Sequence, residues 1–321
     1  MTVAELSERE LVARIQRRLQ PPPAWLLVGI GDDAAVVEPE RNRVEAVSVD
    51  CLVDGVHFDR AFVPPDAIGH RALAANLSDL AAMGASPRAA VVSMALPREL
   101  PLSDFDGIAD GFAALAARSR MHIIGGNLTR TPGPLLIDVT VVGTVKRRQV
   151  LTRAGAMPGD ELYVTGSIGA AAAGLQMLQQ GRFAQSQLCI GRYLRPEPRV
   201  RAGVLLGRNR VASACMDLSD GLADAIRQVT QASGVGAQID TRALPIEEDA
   251  RAWFIDRGCD PIQCALAGGD DYELLFAVSP KTRRRLEAVG RHAGVPLTRI
   301  GVCTADGAIV PALPDGYRHF R

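Results

Sequence analysis

The sequence predicts a two-domain α/β fold, of α+β character in its first half, and three observations carry that expectation. The chain has 321 residues, 47% of them hydrophobic, enough for two domains that each bury a core. Strand-like and helix-like patterns alternate along its whole length. The alternation breaks once, in a polar stretch over 146–159 that ends in Met157-Pro158-Gly159-Asp160 and reads as a linker. The expected domains are therefore 1–150 and 151–321.

In chain order, residues 3–19 read as an amphipathic helix, a lid or packing arm, closed by Pro21-Pro22-Pro23, since proline cannot continue a helix. Short β-rich runs follow at 34–37 and 44–49 with a turn over 38–42, which places both early acidic motifs at strand ends. Residues 66–83 are helical, so Asn76 and Asp79, three apart, share a face. An alanine-rich helix at 103–118 leads to a strand at 121–124, a loop at Gly125-Gly126-Asn127 and an alternating strand over 135–145. After the linker the same style returns. Strands are expected at 161–165, 211–216, 236–240, 272–278 and 297–302, and helices at 168–179, 195–206, 219–232, 247–257 and 280–292.

Composition narrows the function classes. With 36 basic and 36 acidic residues the net charge is zero, so no overall field draws the molecule onto nucleic acid. The longest apolar runs, such as 89–92, fall far short of the roughly 18 to 20 residues a membrane span needs. The first ten residues carry Glu5, Glu8 and Glu10 and no apolar core, so no secretory signal is read and the cytoplasm is the expected location. Six dispersed cysteines form no C-x-x-C pair, which argues against a zinc ribbon or a redox dithiol. The two lysines, Lys146 and Lys281, are both in the wrong context for a phosphate-cradling P-loop.

The acidic residues are organised differently. They recur as short clusters: Gly31-Asp32-Asp33, Ser48-Val49-Asp50, Asn76-Leu77-Ser78-Asp79, Asp217-Leu218-Ser219-Asp220 and Gly269-Asp270-Asp271. Hard cations such as Mg²⁺ take oxygen ligands, and carboxylates supply them. Singly, each cluster has a plainer reading: Gly-Asp-Asp is a turn signature, and Ser219 or Asp220 could simply cap a helix. Against capping, Asp217 at a strand end adds a second carboxylate that a cap does not need. Asp270 and Asp271 stand at the mouth of the strand Tyr272-Glu273-Leu274-Leu275-Phe276, where both carboxylates suit a cation. Arg153 precedes the linker and is either a phosphate clamp or a surface arginine. His57, after Asp54-Gly55-Val56, is a half-exposed strand histidine or a substrate contact. No nucleophile-base constellation can be read from spacing.

Together and in this order, Gly29-Ile30-Gly31-Asp32-Asp33-Ala34, Ser48-Val49-Asp50 with Gly55-Val56-His57-Phe58, Asn76-Leu77-Ser78-Asp79-Leu80-Ala81-Ala82-Met83-Gly84-Ala85, Leu151-Thr152-Arg153, Asp217-Leu218-Ser219-Asp220-Gly221-Leu222, Gly268-Gly269-Asp270-Asp271-Tyr272-Glu273-Leu274 and Gly316-Tyr317 resemble the thiamine-monophosphate kinases. These belong to the superfamily of aminoimidazole ribonucleotide synthetase, selenophosphate synthetase and the hydrogenase-maturation dehydratase. The resemblance implies that superfamily's two-domain fold, with an N-terminal sheet that pairs across a homodimer. It implies transfer of the γ-phosphate of ATP to thiamine monophosphate. Matched motif by motif, several Mg²⁺ ions would take Asp33, Asp50, Asp79, Asp217 and Asp220, with oxygens of Ser48 and, through its main chain, Val49. ATP would meet Gly126, Asn127, Arg153 and Ser219; thiamine monophosphate would meet His57, Asp270 and Tyr317.

One position departs from the family pattern. Gly125-Gly126-Asn127 stands where Gly-Gly-Asp is usual, so Asn127 would offer Mg²⁺ an amide oxygen without a carboxylate's charge. That change leaves two other readings open: a divergent paralogue acting on another phosphorylated metabolite, or a non-catalytic nucleotide-binding module. The sulfur-dependent branches of the superfamily fit less well, because the first cysteine is Cys51, inside an acidic motif, and the chain ends Tyr317-Arg318-His319-Phe320-Arg321.

Overall fold

The computed structural model describes residues 1–316. They form two compact units, one of Met1–Leu77 with Pro87–Lys146, the other of Ser78–Ser86 with the chain from Arg147 onward.

In the first unit a 3₁₀ turn, Val3–Glu5, precedes α1 (Glu8–Gln16). The single helix expected over 3–19 is split because Ser7 starts a new one. Its Oγ accepts the Glu10 amide, and the Glu10 carboxylate accepts the Ser7 amide at 2.8 Å. Strands β1 (Leu26–Val28) and β2 (Val36–Val37) make a small antiparallel pair. β3 (Val44–Val53) runs four residues beyond the expected strand, because Asp50 to Val53 keep pairing antiparallel with residues 136–139 of a later strand. Asp50 therefore lies within a strand and not at its end.

Helix α2 (Pro65–Ala82) is followed by β4 (Ser86–Pro97), α3 (Leu102–Arg118), β5 (His122–Thr131) and β6 (Leu136–Val145). The sheet order is β3-β6-β4-β5, with β4 and β5 parallel. β5 passes straight through Gly125-Gly126-Asn127, so the expected loop is a strand segment. Gly126 belongs there sterically: a Cβ would stand 2.0 Å from the Val92 carbonyl oxygen. Gly111 plays the same part in α3, where a Cβ would stand 1.9 Å from the Asp66 carbonyl oxygen in the first turn of α2.

The second unit is a six-stranded sheet clothed by helices on both faces. In chain order its elements are β7 (Glu161–Thr165), α4 (Ala170–Gln179), α5 (Gln187–Leu194), α6 (Val200–Arg208), β8 (Ala212–Asp217), α7 (Leu222–Ser233), β9 (Gly236–Ile239), α8 (Glu248–Ile255), α9 (Pro261–Ala267), β10 (Leu274–Val278), α10 (Arg283–Ala293), β11 (Leu297–Thr304) and β12 (Ile309–Val310). The strand order is β12-β9-β11-β7-β10-β8. Only the β12-β9 pair is parallel among its pairings.

Alternate side chains of one strand enter different cores, as the period of two requires. Leu162, Val164, Leu275 and Ala277 join Ile226 and Val229 of α7 and Leu266 of α9. Tyr163, Leu274, Phe276 and Val278 join Leu206 of α6 and Leu286 and Val289 of α10. Ala81 and Ala82, from the C-terminal turn of α2, complete that second core. At roughly 2 kcal/mol per fully buried large aliphatic side chain, these two layers are the unit's main source of stability.

Candidate active site

In the first unit, Gly31 turns the chain with φ +117°, and the Asp33 amide donates to Asp32 Oδ1 at 2.9 Å. The turn is tied to α1, because Gln16 Nε2 donates to the Ile30 carbonyl at 2.9 Å. Asp33 is exposed. On β3, Ser48 and Asp50 lie on the partly buried face and Val49 on the outer one, opposite Thr140 of β6. His57 follows in a tight turn, half-buried. Its Nδ1 accepts the Val53 amide at 3.0 Å, so the neutral ring carries its proton on Nε2.

Gly126 and Asn127, both exposed on β5, pair with Val92 and Ser93 of β4. They border a largely apolar, partly open pocket whose wall includes Val12 and Ile15 of α1, Ile30, Phe112 of α3 and Ile123. Two arginines hold α1 on that cavity. Arg14 Nε donates to Asp106 at 2.9 Å, and Arg18 reaches Asp106 at 3.2 Å and Asp110 at 2.5 Å. The Arg14 hydrogen bond holds the Asp106 carboxyl below the usual range, with the Arg18 charge adding to it. The helix is thus a packing arm that also walls a pocket.

In the second unit, Asp79 occupies the last turn of α2, and beside it Ser78 Oγ donates to Asp217 Oδ2 at 2.8 Å. Asp217 ends β8 and is 3% exposed. The cap position of α7 falls on Gly221, which has no side chain to accept a helix amide, and Ser219 and Asp220 precede it. Both are half-buried. Arg153 is exposed and donates to Gln228 Oε1 at 2.7 Å, and Gln228 in turn donates to Asp224 at 2.5 Å.

The Gly-Asp-Asp of this unit divides its labour. Asp270 is half-buried with φ +65°, and its carboxylate accepts the Tyr272 hydroxyl at 3.0 Å. Its amide donates to the Ser219 carbonyl at 2.8 Å, which lashes this turn to the 217–220 turn. Asp271 is buried and engaged with the start of α4, so the two acids do not share one cation. Tyr317 lies outside the described residues. The last of those, Gly316, adjoins Asp220, whose carbonyl oxygen would be 2.9 Å from a Cβ there.

The ligands that the resemblance implies for Mg²⁺ are all oxygens, the donors this ion takes. Among the described residues no three His, Cys, Asp or Glu side chains form a group able to hold a metal ion. An all-oxygen donor set suits Mg²⁺, which usually keeps several waters and binds through one or two carboxylates together with substrate phosphates. Asn76, buried in the same motif as Asp79, keeps its Oδ1 without a hydrogen-bond partner. Spacing did not point to the pocket wall or to the distinct role of Asp271. The only signal for Val12 and Ile15 was the amphipathic pattern of α1.

This pair of domains defines an AIR synthase-related protein. The model of the AIR synthase related protein N-terminal domain matches residues 31–145 and that of the C-terminal domain residues 157–313. Within that class the chain belongs to the thiamine-monophosphate kinase family. It is 40% identical to the thiamine-monophosphate kinase of Salmonella typhimurium over 303 residues, 93% of this chain and 91% of the relative. It is similar to the crystal structure of thiamine-monophosphate kinase from Stenotrophomonas maltophilia, with TM-score 0.85, 39% identity and coverage of 95% and 96%. The AaThiL structure complexed with AMPPCP and TMP matches with TM-score 0.79 and 30% identity, covering 100% of this chain and 99% of that one. No helix among the described residues is long and apolar enough to cross a membrane.

Proposed function

We propose that the chain transfers the γ-phosphoryl group of ATP directly to thiamine monophosphate, giving thiamine diphosphate, with several Mg²⁺ ions assisting. The observation that carries this reading is the lashing of two turns in the second unit. The carbonyl of Ser219, which is assigned to nucleotide and adjoins the proposed metal ligand Asp220, accepts the amide of Asp270, assigned to the acceptor. Donor-side and acceptor-side groups are thereby held in fixed register, which is what a positional catalyst needs.

The acceptor is a phosphate monoester whose second pKa is about 6, so its attacking oxygen is mostly ionised at neutral pH. No strong base or nucleophile is then required of the protein. Its task is to bring two polyanions together and hold them in line. Bound Mg²⁺ would neutralise phosphate charge. Its proposed ligands are Asp33, Ser48, Val49, Asp50, Asp79, Asn127, Asp217 and Asp220.

The cavity beside Gly126 and Asn127 supports adenine binding there: it is apolar, it is walled by Phe112 and Ile15, and it adjoins residues assigned to ATP. Arg153, oriented by Gln228, would meet the nucleotide's phosphates. His57 Nε2 would donate to the acceptor, with Asp270 and Tyr317 as its further contacts. The resemblance also implies a homodimer. Val47 and Val49, 65% and 58% exposed on the outer face of β3, are a surface that a second copy would cover.

Incubation with Mg-ATP and either thiamine or thiamine monophosphate, followed by separation of products, tests the activity. Diphosphate should form from the phosphate alone. A labelled phosphoprotein competent to form product would overturn direct transfer, and absence of ATP turnover would favour a binding module.

A further inference from the structure

We infer that Asp271 is a positioning residue: it anchors the turn over 268–272 to the first turn of α4 and so fixes the carboxylate of Asp270. This rests on the reading that Asp270 contacts the phosphorylated acceptor.

The backbone here takes an unusual path. Asp270 and Tyr272, neither of them glycine, both have left-handed φ, at +65° and +49°. Such residues persist only where their surroundings over-determine them. Two backbone bonds supply part of that constraint, Asp270 to the Ser219 carbonyl at 2.8 Å and Tyr272 to the Leu218 carbonyl at 3.1 Å. Both hold one side of the turn, toward β8.

Asp271 holds the other side. Its Oδ2 accepts the Gly169 amide at 2.7 Å and its Oδ1 the Ala171 amide at 3.3 Å. α4 has no capping side chain of its own, because its cap is Gly169. The carboxylate thus serves as that cap from a remote part of the sequence, satisfying amides the helix leaves open. The neighbouring buried acid is engaged elsewhere: Glu273 accepts Arg199 Nε at 2.6 Å and the Thr165 hydroxyl at 2.6 Å. Asp271 thus joins this turn to α4 through its side chain, while the Asp270 carboxylate is steadied separately by the Tyr272 hydroxyl at 3.0 Å.

The test is a double-mutant cycle on the full-length enzyme, with steady-state kinetics in both substrates. Asp270→Asn should raise KM for thiamine monophosphate at least fivefold. Asp271→Asn, which keeps one acceptor oxygen, should raise it about threefold, and Asp271→Ala about tenfold, with KM for ATP within twofold of wild type in each. Because Asp271 acts through Asp270, adding Asp271→Asn to Asp270→Asn should change KM by less than twofold. Circular dichroism and thermal melts establish that each variant is folded, and Asp271→Asn carries the test if the alanine variant is not. The inference is overturned if Asp270→Asn raises KM while the Asp271 variants match wild type, if the two effects multiply in the double variant, or if both substrates are affected alike. An unchanged KM in Asp270→Asn would instead overturn the reading of Asp270 itself.

Discussion

Replacing Gly126 by alanine tests whether this glycine is demanded by sheet packing, and its neighbour supplies the control. A Cβ on Gly126 would lie 2.0 Å from the Val92 carbonyl oxygen, whereas ordinary contact begins at 3.4 Å, so β5 must withdraw from β4 by about 1.4 Å. That displacement stretches the parallel ladder at Val92. Loss of one or two backbone hydrogen bonds at about 1 kcal/mol each, added to overpacking of about 1 to 3 kcal/mol, gives a cost of about 3 kcal/mol. At roughly 3 °C per kcal/mol for a unit of this size, melting should fall by about 10 °C. A Cβ on Gly125 would meet Val91 Cγ1 at 3.5 Å, ordinary contact, so Gly125→Ala should stay within about 0.5 kcal/mol of wild type. Urea unfolding of the three proteins measures the difference. Since Gly126 borders the cavity, KM for ATP should rise in Gly126→Ala as well. Equal stability of the two alanine variants would refute the packing argument.

Further outcomes concern the pocket arm, the amide ligand and the buried acid. Asp106→Ala removes the α3 partner of Arg14 and leaves Arg18 tied to α3 through Asp110, so α1 should loosen and KM for ATP should rise severalfold, with about 1 to 2 kcal/mol lost in urea unfolding. Asn127→Asp restores a carboxylate and should lower the Mg²⁺ concentration for half-maximal rate; an unchanged requirement would place Asn127 away from metal. Burial pushes the Asp271 carboxyl up to about 7 against the pull of the Gly169 and Ala171 amides, with Glu273 raising it further and Arg192 opposing. A folded pKa above the unfolded one means that its stabilisation is complete below pH ~4 and lost as pH rises through about 7, by at most about 4 kcal/mol. Unfolding measured at pH 5 and pH 8 should therefore show wild type losing stability relative to Asp271→Asn.

Much of this fold was legible because the signals were local. β7 lies where it was expected, since Glu161-Leu162-Tyr163-Val164-Thr165 is a compact run just after the turn at Gly159-Asp160. β4 was not legible: Ser86-Pro87 and Ala89-Ala90 are poor strand formers, and only its partners make it a strand. β5 was cut short because a glycine pair reads as a turn, whereas here one glycine answers to a carbonyl on the neighbouring strand. The order of acidic clusters carried the family and the proposed ligands. It could not say which of two adjacent aspartates turns inward, because that depends on backbone angles at 270 and 272 and on helix amides a hundred residues away. The cavity escaped for a similar reason. Its wall is assembled from α1, α3, β4 and β5, and no single stretch of sequence describes it.

Residues 78–86 carry a lesson for recombination. They precede the linker by some sixty residues, yet they belong to the second unit, where Ala81 and Ala82 enter its core and Ser78 bonds Asp217. Gly203 of α6 accommodates them: a Cβ there would sit 1.9 Å from the Ala81 carbonyl oxygen. A chimera that joined the first 150 residues of one relative to the remainder of another would import a foreign segment into the second core and beside a proposed metal ligand. Crossovers that keep 78–86 with the later half should yield stable hybrids, so inheritance in this chain follows four pieces of sequence although the architecture has two parts.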